Sequence, residues 1–430
     1  MQPPIPLPKI TSVTVAASRN GEYHHIRRRP IMFTYIKYAE RLERIREALK
    51  QKKIDCLVGT RLKTITHVSG AFVPWRSVAI IPADSEPRLI TLMLDAERVK
   101  DDSWLNVVIP YGPSQGAGFV ESIVTQISDL GLERGTIGIE SGSSSYLPEG
   151  YITLAEYEEL RYRLPNAKLV NAADVFDQLT LIKEDEEVKL MRQASAICDT
   201  AHEAVLRELR AGMTEKQVAG IAEKAARDAG SEFAWTFTGG MEIASGYRTA
   251  YAMGGCTPAT DKIIQCGDAV LLDIHAMYGL MLGDVSHNVF VGRPTTKQKE
   301  IAAAYVETCH TLIDAMQPGI TLGEVAQKVT SFVAKNNWDD IVLPGYGHGI
   351  GHFGHEWYPC VVEYPQEGNT EPEFELKPNY IQMIAIVANR PGVAGFRLER
   401  PLLITQNGNE LLSAMPIEPA ILDQDCLCEK

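Results

Sequence analysis

Apolar positions recur along this chain with two different spacings. Leu42, Ile45 and Leu49 stand three and four residues apart within YIKYAERLERIREALKQ, which predicts an amphipathic helix from Ile36 to Lys50. After it, IDCLVGT, SVAIIP and LITLM are short apolar runs, and so are WLNVVIPY, TIGIES and AKLVNA. They read as buried strands, with FVESIVTQISDLG as a helix among them. Strands and helices alternate to about residue 178, so residues 31–178 are expected to form an α/β domain. Residues 1–30 are Pro-rich and then polar and basic, and read as an extended or poorly ordered arm.

LTLIKEDEEVKLMRQAS starts something different. Leu181, Val188, Met191 and Ala194 share one face of a long helix that continues through ICDTAHEAVLRELR. A repeat follows. AGMTEKQ and PGITLGE each precede a helix, and each offers a capping box: Thr214 with Gln217, and Thr321 with Glu324. A strand–turn–strand segment comes after each, AVLLDIHAMYGLMLGDVSHNVFVG first and IQMIAIVANRPGVAGFRLERPLLIT second. Residues 179–418 are therefore expected to be an α+β domain with an internal pseudo-twofold repeat, followed by a tail at 419–430.

Composition narrows the class. Of 430 residues, 45% are hydrophobic and 23% charged, as in ordinary globular proteins. No apolar run is long enough to span a membrane, and the N-terminus lacks the pattern of a secretory signal. A net charge of −13 argues against a nucleic-acid partner. The eight cysteines have no framework spacing, so most are expected to be reduced, consistent with a cytoplasmic chain.

Candidate chemistry gathers in the second domain. Asp273 and Asp284 lie on strands joined by a turn near Tyr278-Gly279, among apolar or small neighbours. Buried carboxylates are costly unless they are paired or hold a metal, although two strand-edge aspartates facing water would fit the same letters. Glu399 sits on another apolar strand, FRLERPLLIT. GYGHGIGHFGHE carries His348, His352, His355 and Glu356 among five glycines. Two aspartates, a glutamate and a histidine form a hard, mostly oxygen donor set. It suits catalytic Mn, Fe, Co or Zn rather than a structural zinc.

In these motifs the second domain resembles the pita-bread metallopeptidase family, in its creatinase, aminopeptidase P and prolidase branch. The motifs are D-x10-D at Asp273 and Asp284, GHGIG-x3-HE at His348 to Glu356, and G-[VF]-R-[IL]-E at Gly395 to Glu399. The first domain resembles that branch's N-terminal domain. The resemblance implies that Asp273 binds one metal, that His348 binds a second, and that Asp284 and Glu399 bridge them. It places His355 at the substrate, as a donor to the carbonyl or oxyanion or as a proton shuttle, with Glu399 in the catalytic set. His352 reads as a bystander. His275 shares the face of Asp273, as a supporting contact or as a packed core residue.

Two positions depart from the family pattern. Its fifth ligand, a glutamate, falls here on Ala385, within LKPNYIQMIA. One or two divalent ions are implied, weakly held or absent, and neither Gln382 nor Asn389 has the register to compensate. A substrate-facing histidine falls at Cys256, which reads as a small loop residue or as a nucleophile or soft ligand. Arg76, beside Trp75, matches an arginine that recognises a substrate carboxylate from the neighbouring subunit, which implies a homodimer. The expected activity is hydrolysis of a C–N bond in a small amide, amidine or Xaa-Pro-like substrate. The alternatives are a repurposed reaction, such as a lyase or biosynthetic step, and a non-catalytic binding module.

Overall fold

A computed structural model describes residues 36–142, 150–234, 236, 239–251, 257–356, 359–362 and 374–423. The N-terminal arm and Cys256 lie outside them.

The first domain is a mixed six-stranded sheet between helices. Its strands are β1 (Cys56–Gly59), β2 (Val78–Pro82), β3 (Arg88–Leu92), β4 (Val108–Tyr111), β5 (Thr136–Ile139) and β6 (Lys168–Asn171), in the order β4-β3-β2-β1-β5-β6. Helices α1 (Tyr38–Gln51), α2 (Leu62–Ser69), α3 (Ala96–Asp102), α4 (Phe119–Asp129), α5 (Leu154–Arg163) and α6 (Ala173–Leu179) surround it. The apolar runs are continuous because both sheet faces are covered: Leu57 packs in one buried cluster and Val58 in another.

The second domain opens with α7 (Asp185–Glu208) and α8 (Glu215–Asp228), then β7 (Met241–Ser245), β8 (Ala269–Tyr278) and β9 (Met281–Val291). The order then recurs with α9 (Thr296–Ala315), α10 (Leu322–Lys335), β10 (Gly347–Ile350), β11 (His355–Glu356), β12 (Ile381–Arg390) and β13 (Ala394–Ile404). Both expected capping boxes are present, with Thr214 and Thr321 accepting from the amides of Gln217 and Glu324. Sheet order is β11-β10-β12-β13-β9-β8-β7, so the two halves mirror each other about the β13–β9 junction. Glu399 opposite Ser286 is the register pair at that junction. The domain is thus the α+β pita-bread fold with its pseudo-twofold repeat. Two further strands complete it: β14 (Asn409–Leu411) pairs with β13, and β15 (Ala420–Leu422) runs parallel to β9, so the start of the expected tail belongs to the sheet.

Among the described cysteines, Cys56, Cys198, Cys309 and Cys360 are free, whereas Cys266 is disulfide-bonded. No helix of the described residues is long and apolar enough to cross a membrane.

Candidate metal centre

Strand alternation puts the chemistry on one face. On β8, Val270, Leu272, Ile274 and Ala276 pack against α7 and α8, so Asp273 and His275 point the other way. On β9, Val285 and Val289 join that core, which turns Asp284 and Ser286 toward Asp273. On β13, Phe396 and Leu398 pack beneath α9 and α10, leaving Arg397 and Glu399 on the same open face. Four ligand atoms, one each from Asp273, His275, Asp284 and Glu399, lie within 4.8 Å of one another. At most 1% of each of these residues is exposed, so water does not solvate the charges.

The glycine-rich stretch brings the histidines alongside. Gly347 has φ 143°, and a Cβ there would meet the carbonyl oxygen of Met383 at 2.1 Å, so only glycine lets β10 lie this close to β12. His348 Nδ1 donates to the Gly349 carbonyl at 2.8 Å, which turns Nε2 toward Glu399 Oε1 at 3.6 Å. His355 Nε2 donates to Asp284 Oδ2 at 2.9 Å, and the imidazole rings of His348 and His355 lie with centroids 4.0 Å apart, tilted by 31°.

Two cations sit among the three carboxylates. Arg397 pairs with Glu399 and lies 3.4 Å from Asp273 Oδ2. His275 Nε2 is 3.2 Å from Asp284 Oδ1 and 3.8 Å from Asp273 Oδ1. Burial alone would hold the His275 pKa down, but the charge of Asp284, helped by Asp273 and Glu242, pushes it up to about 10. Asp284 is held well below the usual carboxylate range: burial raises it, and His275 and His355 outweigh burial. Glu399 is held low by Arg397 against its burial, whereas burial and the charge of Glu399 drive Asp273 well up. Three buried carboxylates with two cations leave a charge deficit, which a proton on Asp273 or a bound cation makes good.

The donor set fits a divalent ion. Apart from the ion pairs with His275 and Arg397, both oxygens of Asp273, Oδ1 of Asp284 and Oε2 of Glu399 are buried without a hydrogen-bond partner. Such atoms are costly unless something coordinates them. Ala385 pairs in register with Glu399, so its methyl group sits where a facing carboxylate would complete the site of His348. Gln382 is turned away and accepts from the Tyr380 hydroxyl, and Asn389 pairs with Gly395 further along β12.

The structure thus brings together Asp273, Asp284, His348, His355 and Glu399. It does not bring Arg76 to them. The Arg76 fork is bound to Glu156 at 2.9 and 2.5 Å and to the Gly150 carbonyl at 2.8 Å, all in the first domain. Three residues that sequence reasoning left without a role belong to the neighbourhood. Arg397 lies inside a quoted motif, and strand alternation from Glu399 points to it. Glu242, paired in register with Asp273, is pushed up to about 7 by burial, against the pull of His275. No local signal marks it. His352 is not a bystander either: its Nε2 is 3.7 Å from Glu187 Oε1, which also takes Arg41 at 2.8 Å and faces His67 Nδ1 at 3.5 Å. That buried group ties α1 and α2 to the glycine-rich loop.

Comparison with known proteins identifies the family. The Xaa-Pro dipeptidase of Pyrococcus horikoshii is 28% identical over 374 residues, 87% of this chain and 97% of that protein. A solved prolidase from Pyrococcus horikoshii OT3 superposes with a TM-score of 0.73 at 25% identity, covering 88% of this chain and 99% of that one. A solved X-Pro aminopeptidase from Thermotoga maritima gives 0.76 at 21% identity over 89% and 99%, a likeness of fold. The family model for metallopeptidase family M24 matches residues 189–406, half of the chain, and that for the creatinase/prolidase N-terminal domain matches residues 41–182. The chain belongs to metallopeptidase family M24, in its creatinase and prolidase branch, and is a hydrolase of the aminopeptidase–prolidase type that cleaves a C–N bond.

Proposed function

We propose that this protein hydrolyses the peptide bond before proline in Xaa-Pro dipeptides or short peptides, with a divalent cation held by Asp273, Asp284 and Glu399 beside His348. The observation that carries this reading is the convergence of Asp273, Asp284 and Glu399 from both halves of the sheet, with His348 3.6 Å from Glu399 and His355 bonded to Asp284. The relative from Pyrococcus horikoshii, an Xaa-Pro dipeptidase, supplies the substrate class.

A cation of the Mn, Fe, Co or Zn type would polarise the scissile carbonyl and lower the pKa of a water. The protein's own groups do the rest. Glu399, kept ionised by Arg397, is the carboxylate that takes a proton from the attacking water. His355 is neutral near pH 7, because burial and His348 push its pKa down to about 4. A neutral imidazole whose Nε2 carries the hydrogen donates it to the carbonyl oxygen or to the departing proline nitrogen. Low exposure of the cluster keeps bulk water from screening these interactions.

Arg76 and Cys256 complete the reading as substrate contacts, Arg76 across a homodimer, where its fork would have to leave Glu156. A cytoplasmic location accords with the four free thiols, and the Cys266 disulfide runs against it. Incubating purified protein plus Mn, Co or Zn with Leu-Pro, Met-Pro, Leu-Ala and creatine tests the substrate class. Proline release with little cleavage of Leu-Ala is expected. Turnover of creatine alone would overturn the proposal. Light scattering gives the oligomer, and unchanged KM in Arg76→Ala and Cys256→Ser would remove those two residues from the site.

A further inference from the structure

Among the described residues, His275 is the one imidazole grouped with Asp273, Asp284 and Glu399. Its orientation is fixed by a short chain of bonds. Thr236 Oγ1 donates its hydrogen to the Gly239 carbonyl at 3.0 Å and accepts from the Gly239 amide at 3.1 Å. The same hydroxyl lies 3.2 Å from His275 Nδ1 and pins that edge of the ring. With Nδ1 held there, Nε2 faces the space between Asp273 and Asp284. A polar partner on the second ring nitrogen is the usual way of orienting a metal-bound histidine. Gly239 makes room for the ring: a Cβ there would meet Cε1 at 2.3 Å and Nδ1 at 2.7 Å.

The spacings match a coordination sphere. Two ligands about 2.1 Å from one ion at a tetrahedral angle stand about 3.4 Å apart. His275 Nε2 is 3.2 Å from Asp284 Oδ1 and 3.8 Å from Asp273 Oδ1, with Glu399 inside the same 4.8 Å group. Apart from the ion pairs with His275 and Arg397, both Asp273 oxygens are buried without a hydrogen-bond partner. On the other side, His348 faces a methyl group where a carboxylate would stand.

We propose that the metal centre of this chain is rebuilt around His275, which supplies a nitrogen ligand to a single ion held with Asp273, Asp284 and Glu399. This rests on the reading that a divalent cation occupies the cluster. Replacing an oxygen-only pocket by one with imidazole shifts preference from Mn toward Co, Ni, Cu or Zn. It offsets the ligand missing at Ala385 by strengthening the opposite site.

The test loads chelator-treated full-length protein with Cu(II), Co(II) or Mn(II) and compares wild type with His275→Ala, His275→Gln and His348→Ala. Calorimetry is expected to show one ion per chain. His275→Ala should weaken Co(II) at least ~10-fold, with a smaller effect on Mn(II). Pulsed EPR of the Cu(II) form should show imidazole nitrogen coupling that His348→Ala keeps and His275→Ala loses. If His275→Ala fails to fold by circular dichroism, His275→Gln carries the same comparison. Unchanged Co(II) affinity and nitrogen coupling without His275 would overturn this inference alone. Wild type that binds no ion would overturn it together with the metal-dependent reading of the site.

Discussion

Ala385 and Glu399 face each other across β12 and β13, so the second half of the sheet presents one carboxylate to the centre where the strand pairing has room for two. Converting Ala385→Glu tests what that asymmetry does. Without metal, a glutamate directly opposite Glu399 adds like charge to a buried cluster, and the variant should melt below wild type. With Co(II) or Mn(II) it should gain a second equivalent per chain, and the metal-dependent rise in melting temperature should exceed that of wild type. Inductively coupled plasma analysis and calorimetry give the stoichiometry.

Arg397 neutralises Glu399 and Asp273 from within the sheet. Replacing it by methionine leaves buried carboxylates short of a cation, and breaking such a pair typically costs about 3–5 kcal/mol. Urea unfolding should show a loss of that order in metal-free Arg397→Met, with part of it recovered when a divalent ion is added. An equal loss with and without metal would mean that Arg397 acts only through packing.

His355→Ala removes the proton held on Nε2 beside Asp284. Steady-state kinetics on an Xaa-Pro dipeptide should show kcat reduced by roughly 10²–10⁴-fold, with KM little changed and metal content intact. A fall in metal content equal to the fall in activity would make His355 a ligand instead.

Buried neutral histidines set the acid limit. Burial pushes His67 down to about 4 and His287 to about 3, and holds His202 well below its ordinary value. The unfolded chain protonates these rings near pH 6.5, so it binds more protons than the folded chain at lower pH. Stability contributed by each is therefore complete above about pH 6.5 and is lost as pH falls, at about 1.4 kcal/mol per unit until the folded ring itself protonates. His287→Phe removes one such group. Relative to wild type, it should gain stability at about that slope between pH 6 and 4 in urea titrations. A pH-independent difference would show that the folded ring protonates normally.

Much of this cluster of side chains was legible in the chain because its members lie in short motifs at fixed spacing. Asp273 and Asp284 bracket one tight hairpin, and strand periodicity alone turns them the same way. The repeat was legible through its caps, since Thr214 and Thr321 mark equivalent helix starts. What stayed hidden depends on pairing between distant strands. Glu242 meets Asp273 only because β7 lies beside β8, and Glu399 meets Ser286 only at the junction of the halves. His352 acquires its role from Glu187 on α7 and His67 on α2, far away in sequence. Arg76 has the right chemistry for a substrate carboxylate, yet Glu156, at the start of α5, takes up its fork.

Cation-dependent proline release from chelator-stripped protein, read alongside bound metal on the same samples, decides whether Asp273, Asp284 and Glu399 form a working metal hydrolase. Release should be absent without metal, rise with added Co(II) or Mn(II), and level off at one equivalent per chain, while Asp284→Asn neither binds the ion nor turns over. Full-rate proline release from metal-free protein, or stoichiometric metal binding with no cleavage of any Xaa-Pro peptide, would contradict it.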